Sequence, residues 1–116
     1  MRIRGTAIVI RDTRILLVQD RGKSRFSLPG GGKEKNEPVL ATAIRELYEE
    51  LGMNAQKAER LLRCDYTGTV NLHQVCLIET DDEPVIASRE LSHFLWWDQE
   101  QDIPRLPHVD RILANL

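Results

Sequence analysis

The chain has 116 residues, of which 41% are apolar and 29% charged, with a net charge of −2, which suits one globular domain with its own core. That mild acidity excludes the basic footprint of a nonspecific nucleic-acid binder, and no apolar run reaches the roughly 18 residues of a membrane span. Two cysteines, Cys64 and Cys76, are too few for a disulfide framework and lack CxxC spacing.

Residues 3–10 and 15–19 are rich in β-branched and aliphatic side chains around the polar turn Arg11-Asp12-Thr13-Arg14, which predicts strand–turn–strand. Charges at Arg2 and Arg4 precede no long apolar stretch, so the N-terminus reads as a strand of the fold rather than a signal peptide, and a cytoplasmic location is the default expectation. The segment from Asp20 to Arg25 is polar and reads as a loop. Phe26-Ser27-Leu28 predicts a short strand that runs into Pro29-Gly30-Gly31-Gly32, punctuation that reads as a loop.

From Pro38 to Leu51 the pattern turns helical. Leu40, Ala43, Ile44, Leu47 and Leu51 recur at spacings of three and four and form one apolar stripe. Pro38 suits the first turn, Asn36 or Glu37 can cap it, and Gly52 stands where a left-handed C-terminal cap is wanted. Beyond it, residues 57–66 and 72–80 predict two strands. Asp81-Asp82-Glu83-Pro84 reads as an acidic loop, Ser92 to Trp97 as a further strand, and Val109, Ile112, Leu113 and Leu116 mark a closing amphipathic helix. No repeat or linker interrupts the chain, so one α/β (α+β) domain over 1–116, layered around a mixed sheet, is expected. Cys76, inside the run Val75–Ile78, reads as a buried thiol. The histidines His73, His93 and His108 show no ligand spacing.

Projected at 100° per residue from Leu40, Glu46, Glu49 and Glu50 fall at about 240°, 180° and 280°. Three carboxylates therefore share a face beside the apolar stripe. They repel one another unless a hard cation joins them, and oxygen-only ligands favour Mg²⁺ or Mn²⁺. Alone, such a cluster is more readily a solvated acidic face. The glycines Gly30, Gly31 and Gly32 let backbone approach a ligand closely, and a loop feeding a helix offers N–H groups to phosphate. Loop and carboxylates are complementary halves of a phosphate-plus-metal site.

Residues 31–53, GGKEKNEPVLATAIRELYEELGM, match the pattern GX5EX7REUXEEXGU at Gly31, Glu37, Arg45, Glu46, Leu47, Glu49, Glu50, Gly52 and Met53. A chance match in a chain of this length is on the order of 1 in 10⁷ to 1 in 10⁸. The segment resembles the Nudix box, and the lead-in Phe26 to Gly30 and the stretch Glu90 to Trp97 also resemble that family. Asn36 departs from the glycine many members carry, and Asn tolerates the left-handed angles needed there.

The resemblance implies a Nudix fold, a mixed sheet between helices with a loop–helix–loop motif, and attack of water on phosphorus with Mg²⁺ or Mn²⁺ held by box glutamates. By position, Glu49 and Glu50 are the principal ligands, Glu46 a third ligand or the base, and Gly31 a further ligand. Gly30, Gly31 and Gly32 contact substrate, and Glu37 with Arg45 is a structural pair. Glu34, Glu79, Glu83 and Glu90 are possible extra ligands or bases, Glu90 having the best positional match. Arg4, Arg25, Lys33 and Lys35 are available to phosphates, though most suit a solvated surface better. Phe26, Tyr66 and Trp97 can stack on a base or serve the core. The substrate expected is a nucleoside diphosphate linked to another group, with nucleoside triphosphates (a MutT-like activity) slightly ahead of dinucleoside polyphosphates and ADP-ribose-type sugars. A nucleotide-sensing module without catalysis is the alternative from another class. Neither polymeric nucleic acid nor membrane is expected as a partner, and a monomer or homodimer is.

Overall fold

Period-two alternation along the first strands decides the layering. In a computed structural model that describes residues 1–116, Ala7 and Val9 face one way along the chain and Ile8 the other. Leu16 and Val18 likewise oppose Ile15 and Leu17. Each strand thus feeds two cores, one on each face.

β1 (Arg2–Ile8) runs parallel to β8 (Asn71–Glu79), from Arg2 opposite Asn71 to Ile8 opposite Leu77. β5 (Gly30–Gly32) adds antiparallel to the other edge of β1. On the far side of β8 lie β6 (Lys57–Arg60) and β7 (Tyr66–Thr67), both antiparallel. A second sheet, wholly antiparallel, joins β2 (Ile10–Arg11), β3 (Arg14–Asp20), β4 (Phe26–Ser27) and β9 (Leu91–Trp97). α1 (Val39–Leu51) buries Ala43, Leu47 and Leu51 against Ala7, Val9, Cys76 and Ile78. α2 (Pro107–Leu113) buries Val109 and Ile112 against Ile8, Leu17, Val75 and Trp97. Helix, strands and helix form three layers, as expected; the strand layer is two sheets rather than one.

α1 is built as its pattern predicts. It ends at Gly52, which is left-handed at φ 66° and donates its N–H to the Tyr48 carbonyl. Its start differs: Pro38 is the capping residue, and no side chain caps the helix. Glu37 turns instead toward Arg45, Thr42 and the Glu34 N–H. Asn36 takes φ 64°, the left-handed turn expected of it.

Three further expectations change. The run 57–66 is not one strand, because Asp65 accepts the Val75 N–H at 2.8 Å and the Arg60 guanidinium at 2.8 Å. That capture of backbone and side chain bends the chain through a 3₁₀ turn at Leu62–Cys64. The glycines Gly30–Gly32 form a strand, not a loop. Leu116 lies beyond the closing helix and is exposed. Cys64 and Cys76 are both buried and unpaired. No helix is long and apolar enough to cross a membrane.

Candidate functional site

The glycine strand explains how α1 comes to lie over the sheet edge. A Cβ on Gly5 would meet Thr42 Cβ at 2.8 Å, so only glycine lets β1 pass so close beneath the helix. Beside it, a Cβ on Gly31 would sit 2.3 Å from the Glu46 carboxyl carbon, so the bare backbone of β5 is the floor on which that carboxylate rests. Gly30 adopts φ 148°, where a side chain would strike the Gly5 carbonyl at 2.2 Å. These glycines serve close approach, and their strand pairs with β1 rather than opening onto the start of α1, which lies beyond Pro38.

Arg45 organises the motif. Its Nε donates to Glu37 Oε2 at 2.8 Å and its Nη2 to Glu37 Oε1 at 3.0 Å, a two-pronged pair. Its Nη1 reaches Glu46 Oε1 at 2.9 Å and Glu49 Oε2 at 3.3 Å, and Nη2 also reaches the Gly32 carbonyl at 3.3 Å. Helix and strand are tied through one guanidinium. Arg45 holds the Glu37 carboxyl down to about 2, with Thr42 and the Glu34 N–H adding to the effect.

That shift has a testable consequence. A carboxyl with a lowered folded-state pKa stabilises the fold above its unfolded value and loses that contribution as pH falls through the folded one. Glu37→Gln is expected to cost roughly 1 to 2 kcal/mol at pH 7, the range for a charge-assisted hydrogen bond discounted for partial exposure. The gap to the parent should close between about pH 4.5 and pH 2. Chemical denaturation across that window checks it; a gap independent of pH contradicts the pairing.

Glu46 and Glu50 converge and Glu49 does not. Glu50 is 6% exposed, and both it and Glu46 line a polar cleft of about 280 Å³. The Glu49 side chain is 55% exposed and leans on Arg45 outside the cleft. The remaining walls are Arg2, Arg4, Asp20, Gly30, Gly31 and Glu90. Of the extra carboxylates considered from sequence, Glu90 alone reaches the cleft. Glu83 pairs with Arg11 at 3.2 Å, Glu34 leans toward Arg45 at 3.8 Å, and Glu79 lies at a different surface groove. Gly32, Arg25, Lys33 and Lys35 are not among its walls. Arg2 and Asp20 are cleft residues that the sequence does not single out, and Arg4 is one of four basic candidates there. None of the three belongs to the motif.

Two guanidiniums and four carboxylates line the cleft, +2 against −4, leaving −2 when all are ionised. Burial, reinforced by the adjacent Glu46, pushes the Glu50 carboxyl up to about 9, with Arg4 opposing. Burial also lowers the pKa of Arg4, against the pull of Glu50 and Asp20. The Arg4 guanidinium donates Nη2 to the Leu28 carbonyl at 2.9 Å, while its Nε is buried with no partner. Carboxylates too close to ionise together are a hard-oxygen donor set that suits a divalent cation. No three acidic, histidine or cysteine side chains close a coordination sphere by themselves, so an ion here takes part of its shell from backbone, solvent or ligand oxygens.

Residues 1–113 match the family model described as NUDIX domain. The crystal structure of a MutT NUDIX hydrolase from Burkholderia pseudomallei superposes with a TM-score of 0.86 at 25% identity, covering 99% of this chain and 97% of that one. A Lactococcus lactis protein named probable DHNTP pyrophosphohydrolase is 28% identical over 108 residues, 92% of this chain and 61% of that protein. An RNA pyrophosphohydrolase from Roseobacter denitrificans is 44% identical over 41 residues, 35% of this chain and 26% of its own. This chain therefore spans under two thirds of the length of these two relatives. With the family model spanning nearly the whole chain and Gly31, Glu46 and Glu50 of the motif lining one acidic cleft, the chain belongs to the Nudix hydrolase family.

Proposed function

We propose that the chain is a Mg²⁺- or Mn²⁺-dependent pyrophosphohydrolase that cuts a phosphoanhydride bond in a nucleoside diphosphate linked to another group, with nucleoside triphosphates slightly preferred. The observation that carries this reading is the crowding of four carboxylates against two guanidiniums in a cleft bounded by the motif. A polyphosphate is itself an anion, so such a cleft receives one only together with a cation. The relatives' names point the same way, since two of them are pyrophosphohydrolases.

In this reading Glu46 and Glu50 would hold the ion from α1, with Gly31 and Glu90 available beside them. Glu49, whose Oε2 leans on Arg45 at 3.3 Å outside the cleft, would have to turn inward to join them. When bound, the ion neutralises phosphate charge and makes water a better nucleophile near neutral pH. The protein's own share is positioning, because phosphoryl transfer leaves little covalent work for side chains. Arg4 is anchored through Nη2 to the Leu28 carbonyl and sets its positive charge in the cleft wall, where it offsets phosphate charge. Glu46, steadied by Arg45 at 2.9 Å, or Glu90 takes the proton of the attacking water.

The deciding experiment is a Mg²⁺-dependent screen of nucleoside triphosphates, dinucleoside polyphosphates, nucleotide sugars and DHNTP, with pyrophosphate and phosphate release measured separately. Pyrophosphate release from triphosphates, abolished by chelation, is the expected result. Tight nucleotide binding without any turnover would favour a sensor instead.

A further inference from the structure

The first sheet ends at β6, which pairs with β8 and with no other strand. Leu61 donates its N–H to the Val75 carbonyl at 2.8 Å, which fixes the phase of the ladder: Lys57, Glu59 and Leu61 turn their peptide groups toward β8. Alternation then turns the N–H and C=O of Ala58 and Arg60 outward, and none of the chain's turn or loop bonds takes them up. Gln56 gives its own N–H to the Glu79 carbonyl at 2.8 Å, while its C=O, opposed to the inward Lys57 N–H, points outward as well. Such an edge is a template for another strand unless covering chain or charge prevents it. Cover is lacking: Lys57 and Glu59 are exposed, and a groove of about 500 Å³ opens beside them, walled by Lys57, Ala58, Glu59, Leu77 and Glu79. Charge is present, but as one of each sign at alternate positions, so both side chains stand on one face. Neither joins an ion pair within the chain.

We propose that β6 is the interface of a homodimer, in which the β6 strands of two copies pair antiparallel about a two-fold axis at Ala58 and join the two sheets into one. Charge selects this register. With Ala58 opposite Ala58, Lys57 of each copy stands opposite Glu59 of the other, at the closely spaced positions where cross-strand side chains meet. Either neighbouring register that still opposes the outward peptide groups sets Lys57 on Lys57 or Glu59 on Glu59, which repel. At the axis the two Ala58 residues exchange N–H and C=O, and each Arg60 N–H reaches the Gln56 carbonyl of the other copy. The Arg60 side chain leaves room for this, held back by Asp65 at 2.8 Å. The second sheet is also open along β9, but Leu91–Trp97 carries no acidic residue, lysine or arginine to set a register there. One short strand makes a small contact, so the dimer is weak and loosened by salt. The acidic cleft is built on β5 at the opposite edge of the sheet, and both copies keep theirs open. Nothing in this pairing depends on the reaction catalysed.

The test follows the full chain by sedimentation equilibrium and amide NMR at low salt, over concentrations up to about 1 mM, where even weak specific association shows. Association is expected to rise with concentration and fall with added salt. The Ala58 and Arg60 amides should move as it does, while those of Lys57 and Glu59, already bonded to β8, move far less. Lys57→Glu and Glu59→Lys each set like charges opposite one another on both sides of the axis, and each is expected to weaken the dimer about tenfold. The double substitution exchanges the charges, restores opposite signs across the axis and should recover most of the affinity. Both side chains are exposed, so the fold bears these changes. A monomer at every concentration overturns the proposal, including one that instead takes up an unrelated extended peptide along β6. So does a dimer whose amide shifts centre on another face, or a double substitution that associates no better than the single ones.

Discussion

Glu50→Gln is expected to lower kcat by about 10²- to 10⁴-fold with Mg²⁺ saturating, the range seen when a positioned charged group is removed from a reaction centre. The same change should make the metal-free protein more stable at pH 8. A carboxyl whose folded-state pKa lies above its unfolded value contributes fully at low pH and loses stability as pH rises between the two. For Glu50 that window runs from about 4.5 to about 9. An amide of the same shape removes the burial of charge and with it the decline. Thermal melts in chelator at pH 5 and pH 8 read this directly: the parent weakens across the interval and the variant does not. Added Mg²⁺ then reverses the order. An ion that binds only the folded parent stabilises it by about 2.7 kcal/mol at a hundred times its Kd, and the variant forgoes most of that. A residue that lowers stability where it sits and raises turnover there is held for function. Near-wild-type turnover in Glu50→Gln defeats the assignment of Glu50 as an ion ligand.

The contrast between Glu50 and Glu49 marks how far a helical projection carries. Spacing alone puts both on one face with Glu46; in α1, Glu46 and Glu50 line the cleft and Glu49 stands outside it. What spacing lacks is the neighbour. Glu50 is covered because its side chain turns in among Glu46, Arg4 and Asp20 at the cleft. Glu49 stays exposed because nothing lies over it but Arg45. Local signals were read well where local forces decide, as in the α1 stripe, the Gly52 cap and the left-handed Asn36. They failed where a distant partner decides. Asp65 breaks a strand by taking the N–H of Val75. The glycine run becomes a strand because β1 lies open beside it. His73 and His108, unremarkable in the sequence, meet only because α2 packs on the face of β8 that carries Val75. The same holds for Arg4 and Asp20, which come from β1 and β3 to a cleft whose signature lies elsewhere in the chain.

Gly31→Ala is the second substitution with a large expected effect, and it separates geometry from charge. Its added methyl would fall 2.3 Å from the Glu46 carboxyl carbon and 2.6 Å from both carboxyl oxygens. Something must shift, and Arg45 restrains the carboxylate from one side at 2.9 Å. Displacement of a reacting group by about 1 Å costs on the order of 10²-fold in rate, so kcat should fall by about that factor with every charge retained. Overpacking of this kind costs roughly 1 to 3 kcal/mol of stability. Gly22 supplies the control, since at φ 79° an alanine there is strained but meets nothing within 4 Å. Gly22→Ala should lose about 1 kcal/mol and no activity. The cycle with Glu46→Ala then isolates the clash. If the methyl acts on that carboxylate, Gly31→Ala destabilises the parent but not the Glu46→Ala background, a coupling of 0.5 kcal/mol or more for groups in contact, about the threshold for real interaction. Additive stabilities, or wild-type turnover in Gly31→Ala, would mean that Glu46 does not work from above the bare backbone of β5.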